Sequence, residues 1–98
     1  MAHTFDELVA KQRAADEAHV RVRHLQDSFG PPTRTKWSGE QTAAWETAWR
    51  AWRDLARDVQ VAVGEYARAE GIPRNEAEAR VKRAARHDTP HGPDGPAA

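Results

Sequence analysis

Apolar side chains spaced seven residues apart dominate the middle of this chain. Trp45, Trp52, Val59 and Tyr66 form one row, Ala48, Leu55 and Ala62 a second, and Trp49, Ala56 and Val63 a third. Two turns of an α-helix return a side chain to nearly the same face after seven residues. A β-strand would scatter the same residues over both of its sides. Three adjacent rows make a stripe wider than one helix–helix seam requires, so this helix is expected to touch more than one partner. Its ends are marked as well. Ser38-Gly39-Glu40-Gln41 has the form of a capping box, in which a serine and the side chain three residues on satisfy each other's amides. Gly71 and Pro73 stop the helix at the other end. The pattern predicts a helix over about 38–70.

The same period occurs upstream, in Leu8, Ala15, Val22 and Phe29, with Phe5, Ala18 and Leu25 beside them and an interruption at Lys11 and Gln12. Thr4-Phe5-Asp6-Glu7 is a second capping box, and its two carboxylates favour the positive end of the helix dipole. Gly30 supplies a left-handed residue and Pro31-Pro32 prevents continuation, so a first helix is predicted over about 4–29. A short turn between two apolar seams leads to an antiparallel helical hairpin. Folding about that turn brings Val22 near Trp45, Ala18 near Trp49, Ala15 near Trp52 and Leu8 near Val59. In that register large indoles meet small alanines, which fills space without voids.

A shorter third helix is expected over about 74–87, with a cap from Asn75 to Glu78. Its apolar stripe is thin: Ile72, Ala77, Val81 and Ala84. A helix of this length is marginal alone in water, so it must dock on the second helix, against Val59, Val63 and Tyr66. The fold class is therefore all-α, with a single helical domain over 1–87. Residues 88–98 alternate proline and glycine with small polar residues and read as a disordered C-terminal tail.

Composition narrows the chemistry. Charged residues make up 31 % of the chain yet cancel to a net charge of zero, which argues against a general polyanion binder. There is no cysteine, so disulfides, thiolate chemistry and cysteine-based zinc sites are excluded. Apolar runs are far too short for a membrane span. The start, Met-Ala-His-Thr-Phe-Asp-Glu, lacks the basic and apolar regions of a cleavable signal, so a cytoplasmic address is expected. His19 and His24 are five apart and fall on different helix faces, unlike a metal-binding pair. No serine or lysine has an evident activating partner, and no two carboxylates pair for acid–base work. Neither an enzyme nor a cofactor is expected.

Two surfaces remain as candidates. Of the four tryptophans, Trp45 and Trp52 are expected in the core and Trp37 at the turn. Trp49 lies on the flank of the seam, where two helices cannot enclose it. It is expected either to receive the third helix or to form a dimer contact, because aromatic side chains are enriched at interfaces. Arg50, Arg53 and Arg57 interleave with the rings, but Glu46, Asp54 and Asp58 neutralise them, which suits a solvated face better than a nucleic-acid platform. The second surface is the basic stripe of Arg80, Arg83 and Arg86, which with Arg74 and Lys82 outweighs Glu76 and Glu78 and offers phosphate contacts. Ala67-x-x-x-Gly71-Ile72 before a short helix resembles the turn of helix-turn-helix DNA binders, although Glu70 and Arg80 stand where that motif buries apolar residues.

Trp37-Ser38-Gly39 at the joint of two antiparallel helices resembles the WXG family of small secreted helical hairpins. Tyr66-Ala-Arg-Ala-Glu70 is similar to the Tyr-x-x-x-acid signature of type VII export in that family. The resemblance implies a dimeric four-helix bundle exported without a cleaved leader, with Trp37 and Gly39 shaping the turn and Tyr66 and Glu70 in the export signal. The residues themselves point to a non-enzymatic protein–protein interaction module, acting with a partner or as a homodimer. The leaderless secreted hairpin and a small DNA-binding regulator using the third helix stand as alternatives.

Overall fold

The computed structural model describes residues 3–87. It contains three helices: α1 (Phe5–Phe29), α2 (Gly39–Glu70) and α3 (Arg74–His87). The expected tail, 88–98, lies outside the described residues. Among those described, no helix is long and apolar enough to cross a membrane.

Both capping boxes form. Thr4 Oγ1 accepts from the Glu7 amide at 3.1 Å while the Glu7 carboxylate accepts from the Thr4 amide at 2.8 Å. Ser38 and Gln41 make the same reciprocal pair at 3.0 and 2.9 Å. α2 ends in a Schellman arrangement: Ile72 N–H donates to Ala67 C=O and Gly71 N–H to Arg68 C=O, with Gly71 in the left-handed region at φ 69°. Gly30 ends α1 differently. Its φ of 83° is positive but its ψ of 169° lies outside the left-handed helical region, in backbone that is essentially reserved for glycine. The third helix starts one residue before its expected cap. The Pro73 carbonyl accepts the first amides, from Glu76 and Ala77, and Asn75 sits inside the first turn. Proline suits this place because the N–H it lacks would have had no partner within the helix.

α1 and α2 run antiparallel. His3 meets Glu65 at 2.8 Å, Lys11 meets Asp58 at 2.7 Å, and the His19 ring stacks on Trp52 at 4.4 Å. Trp52 thus packs face to face on a histidine one turn beyond the alanine expected to meet it. Ala18 faces Ala44, Ala48 and Ala51 instead, and small against small leaves a groove of about 400 Å³. The register is set elsewhere, by the apolar cluster around Leu8, Val59 and Val63, which α3 seals with Ala77 and Val81.

α3 leans on both other helices rather than on α2 alone. The Arg74 guanidinium donates to the carbonyl and the side chain of Gln60, at 2.9 and 2.6 Å. It lies over Gly64, where a Cβ would come within 2.8 Å of it. From α1, Arg13 Nε donates to the Ala85 carbonyl at 3.4 Å, and Phe5 lies in a shallow groove with Arg80, Arg83, Ala84 and His87. Val81 is fully buried, worth about 1.5–3 kcal/mol. Ala77 and Ala85 are buried beside it.

The three glycines at helix ends differ in what they require. Gly30→Ala is expected to cost about 1–3 kcal/mol of unfolding free energy, and Gly71→Ala about 1–2 kcal/mol. At Gly39 φ is not positive and a Cβ meets open space, so Gly39→Ala should leave stability unchanged or raise it. Equilibrium urea unfolding of the three variants tests this, and a comparable loss at Gly39 would contradict it.

Candidate functional site

The turn after α1 is built around one indole. Arg34 and Thr35 amides both donate to the Pro31 carbonyl, at 3.0 and 2.9 Å, which curls the chain back. Trp37 Nε1 then donates to the Gly30 carbonyl at 2.8 Å and pins the far side of the turn. From that pin an aromatic ladder climbs α2. Phe29 meets Trp37 edge-on at 5.3 Å, Trp37 meets Trp45 edge-on at 5.9 Å, and Trp45 stacks beside Trp49 at 6.4 Å. The Arg53 guanidinium closes the ladder, 5.1 Å from the centre of the Trp49 ring.

None of the four tryptophans is fully buried, which corrects the expectation that Trp45 and Trp52 belong to the core. The largest side chains that are wholly enclosed are Leu8, Val63 and Val81, all at the end of the hairpin that α3 covers. At the ladder end the described residues form two helical layers, and each ring stays part-exposed. Trp45 combines the two situations. Its ring is part-exposed, yet its Nε1 is buried and finds no acceptor among the described residues. A donor left in that state costs about 1–3 kcal/mol.

Trp49 does not receive the third helix. α3 instead docks further along the same face of α2. Ala56 and Trp49 lie seven and fourteen residues before Val63, so the apolar stripe under α3 continues uncovered past its end. Beside the stripe run Glu46, Arg50 and Arg53. Glu46 and Arg50 approach to 3.9 Å and Arg53 and Asp54 to 3.7 Å, all well exposed, so these pairs add little stability. A cleft of about 250 Å³ opens between Trp45, Glu46, Trp49 and Arg50.

The remaining sequence candidates lie apart from this face. Arg80 is paired with Glu76 on α3. Arg83 is exposed over the groove beside Phe5, and Arg86 is exposed in the last turn. Phe5 stands opposite Tyr66 at 6.1 Å, so the basic surface and the ladder occupy opposite ends of the hairpin. Tyr66 packs against the core cluster inside α2, and Glu70 is exposed at its last turn. Trp37 shapes the turn, whereas the geometry asks nothing of Gly39 beyond an ordinary first helical residue. Among the described residues, no three His, Asp or Glu side chains come together as metal ligands. Sequence reasoning missed the His19–Trp52 stack and the Arg74–Gln60 clasp. The second had a signal: a lone glycine, Gly64, within an otherwise strong helix marks a close approach.

Compared with known protein families, with curated proteins and with solved structures, the chain matches none of them.

The two indole N–H groups make a matched pair. Trp37→Phe keeps the ring contacts and loses the bond to Gly30, with an expected cost of about 1 kcal/mol beyond the lost area. Trp45→Phe loses comparable area but only an unsatisfied donor, and should cost less. Thermal or urea unfolding ranks them, and the reverse order would show that the Trp45 N–H is satisfied in solution.

Proposed function

We propose that this protein is a non-enzymatic helical protein–protein interaction module whose docking surface is the uncovered face centred on Trp45 and Trp49. The observation that carries this reading is the division of the hairpin into two unequal halves. One half is finished by α3 and encloses Leu8, Val63 and Val81 completely. The other continues the same apolar stripe with the largest side chains in the chain, and no helix of the described residues lies over them. Tryptophan and arginine are the residue types that most often dominate binding energy at protein interfaces, where a ring can be buried on one side by its own fold and on the other by a partner.

The chemistry of the face fits a helix better than a small ligand. Its floor is a long strip rather than a closed pocket, and its rim alternates carboxylates with arginines. A partner helix would lay an apolar stripe along Ala56, Trp49 and Trp45. Neither alternative has comparable support. A DNA-binding role for α3 must contend with Arg80 being held by Glu76, and an export signal at Tyr66 with that ring being packed against the core.

Site-specific photo-crosslinking in cells tests the reading. Val20 of α1 is 62 % exposed beside the uncovered face, and Val61 of α2 is 55 % exposed away from it. A benzophenone side chain at Val20 should give a discrete protein adduct that one at Val61 does not, and Trp49→Ala should abolish it. Equal labelling from both positions, or none from Val20, rejects the face as a docking surface.

A further inference from the structure

Resting on that docking surface, we infer that its occupant is a second copy of this chain, paired across a two-fold axis with α2 antiparallel to α2 and α1 antiparallel to α1. The inference comes from how charge is arranged along both helices. In an antiparallel pairing of identical helices, each flank faces the same flank of the partner with its order reversed. A flank then attracts itself only if opposite charges stand equally far on either side of a midpoint.

α2 meets this condition. Beside the aromatic ladder its flank carries Glu46 at one end and Arg53 at the other, and the midpoint falls between Trp49 and Arg50. The axis would therefore bring Trp49 of the two copies together, with Glu46 of each facing Arg53 of the other. Arg50 lies further round the helix, where two cylinders diverge. α1 meets the condition separately. Arg13 reaches α3 from α1, and Val20, seven residues on, lies on that same face. Beside it stand Asp16 and Arg23, both exposed, in line with the buried Val9 at seven-residue spacing. Their midpoint falls between His19 and Val20.

One axis can serve both helices only if the two midpoints are level in the fold. They are, to within one helical turn. Moving from the Lys11–Asp58 pair toward the turn by the same number of residues on each helix reaches both midpoints together, and counting from the His19–Trp52 stack sets them about two residues apart. Two independent charge patterns thus share one two-fold axis, which passes through the centre of the part-exposed aromatic patch. The pairing also completes the layer that α3 begins. α3 covers each hairpin from its open end as far as Arg13 and Gln60, and the partner's ladder end would cover the rest.

Sedimentation and cysteine chemistry test this on the full chain. It should sediment at twice its 11.0 kDa at micromolar concentrations. Arg53→Glu, which sets like charges against Glu46 of the partner, should weaken association at least about tenfold. Glu46→Arg combined with Arg53→Glu should restore it. Because both side chains are exposed, unchanged helical circular dichroism will show that the fold survives. The chain has no cysteine, so Val20→Cys puts one thiol beside the axis and Val61→Cys one of similar exposure away from it. In a glutathione redox buffer, Val20→Cys should form the symmetric disulfide dimer at least about tenfold faster. A wild-type chain still monomeric at about 100 µM, where even weak pairs form, overturns the pairing. So does a charge swap that fails to restore association, or equal disulfide rates at the two positions. A monomeric chain whose Val20 photo-adduct contains a different protein overturns the two-fold pairing and leaves the docking surface standing. A monomer with no adduct removes both.

Discussion

α3 spans 14 residues and the two helices it leans on span 25 and 32. That mismatch governs the rest of the molecule. A hairpin of two helices cannot enclose a wide apolar stripe, and a third helix encloses it only along its own length. Where α3 lies, aliphatic side chains disappear from solvent entirely. Beyond its end the described residues supply no third layer, and the positions that would have faced one carry tryptophan. An indole suits such a place because it buries area against its neighbours while tolerating water at one edge. The ladder from Phe29 to Arg53 is the hairpin's own partial cover for an unfinished core.

The short helix is held by contacts that a helix of its composition could not supply alone. Its apolar side chains are mostly alanine, with Val81 the one large residue wholly buried. Polar clasps at its two ends add direction. Arg74 reaches back over Gly64 to Gln60 at the start, and Arg13 of α1 reaches the Ala85 carbonyl near the end. A helix of this length gains little from its own backbone bonds. Its order is therefore borrowed from α1 and α2, and in return it seals the cluster that sets their register.

Net neutrality here is an arrangement rather than an absence of charge. Opposite charges alternate along exposed flanks, and most of the pairs within the chain are long or solvent-exposed, so they contribute little to folding. Such patterns act more on which surfaces approach one another, and in which direction, than on stability. The ordered sequence of carboxylate and guanidinium groups beside Trp49 and beside Val20 has its clearest physical meaning in that role.

The helices, both capping boxes and the glycine stops were legible in the sequence because each depends on residues within a turn or two of one another. One difference was local, at the start of α3, and the others were at longer range. Asn75 looked like a cap until the Pro73 carbonyl took the part. Alanines are the expected seats for the indoles, yet Trp52 meets His19, one turn from Ala15, in a register held by salt bridges and a buried aliphatic cluster. Trp49 was marked by sequence as the ring two helices could not enclose, but only the tertiary structure decided that α3 does not reach it. Periodicity states which face of a helix is apolar. How far along that face another helix extends depends on where the chain turns and what it meets, and no local pattern encodes that.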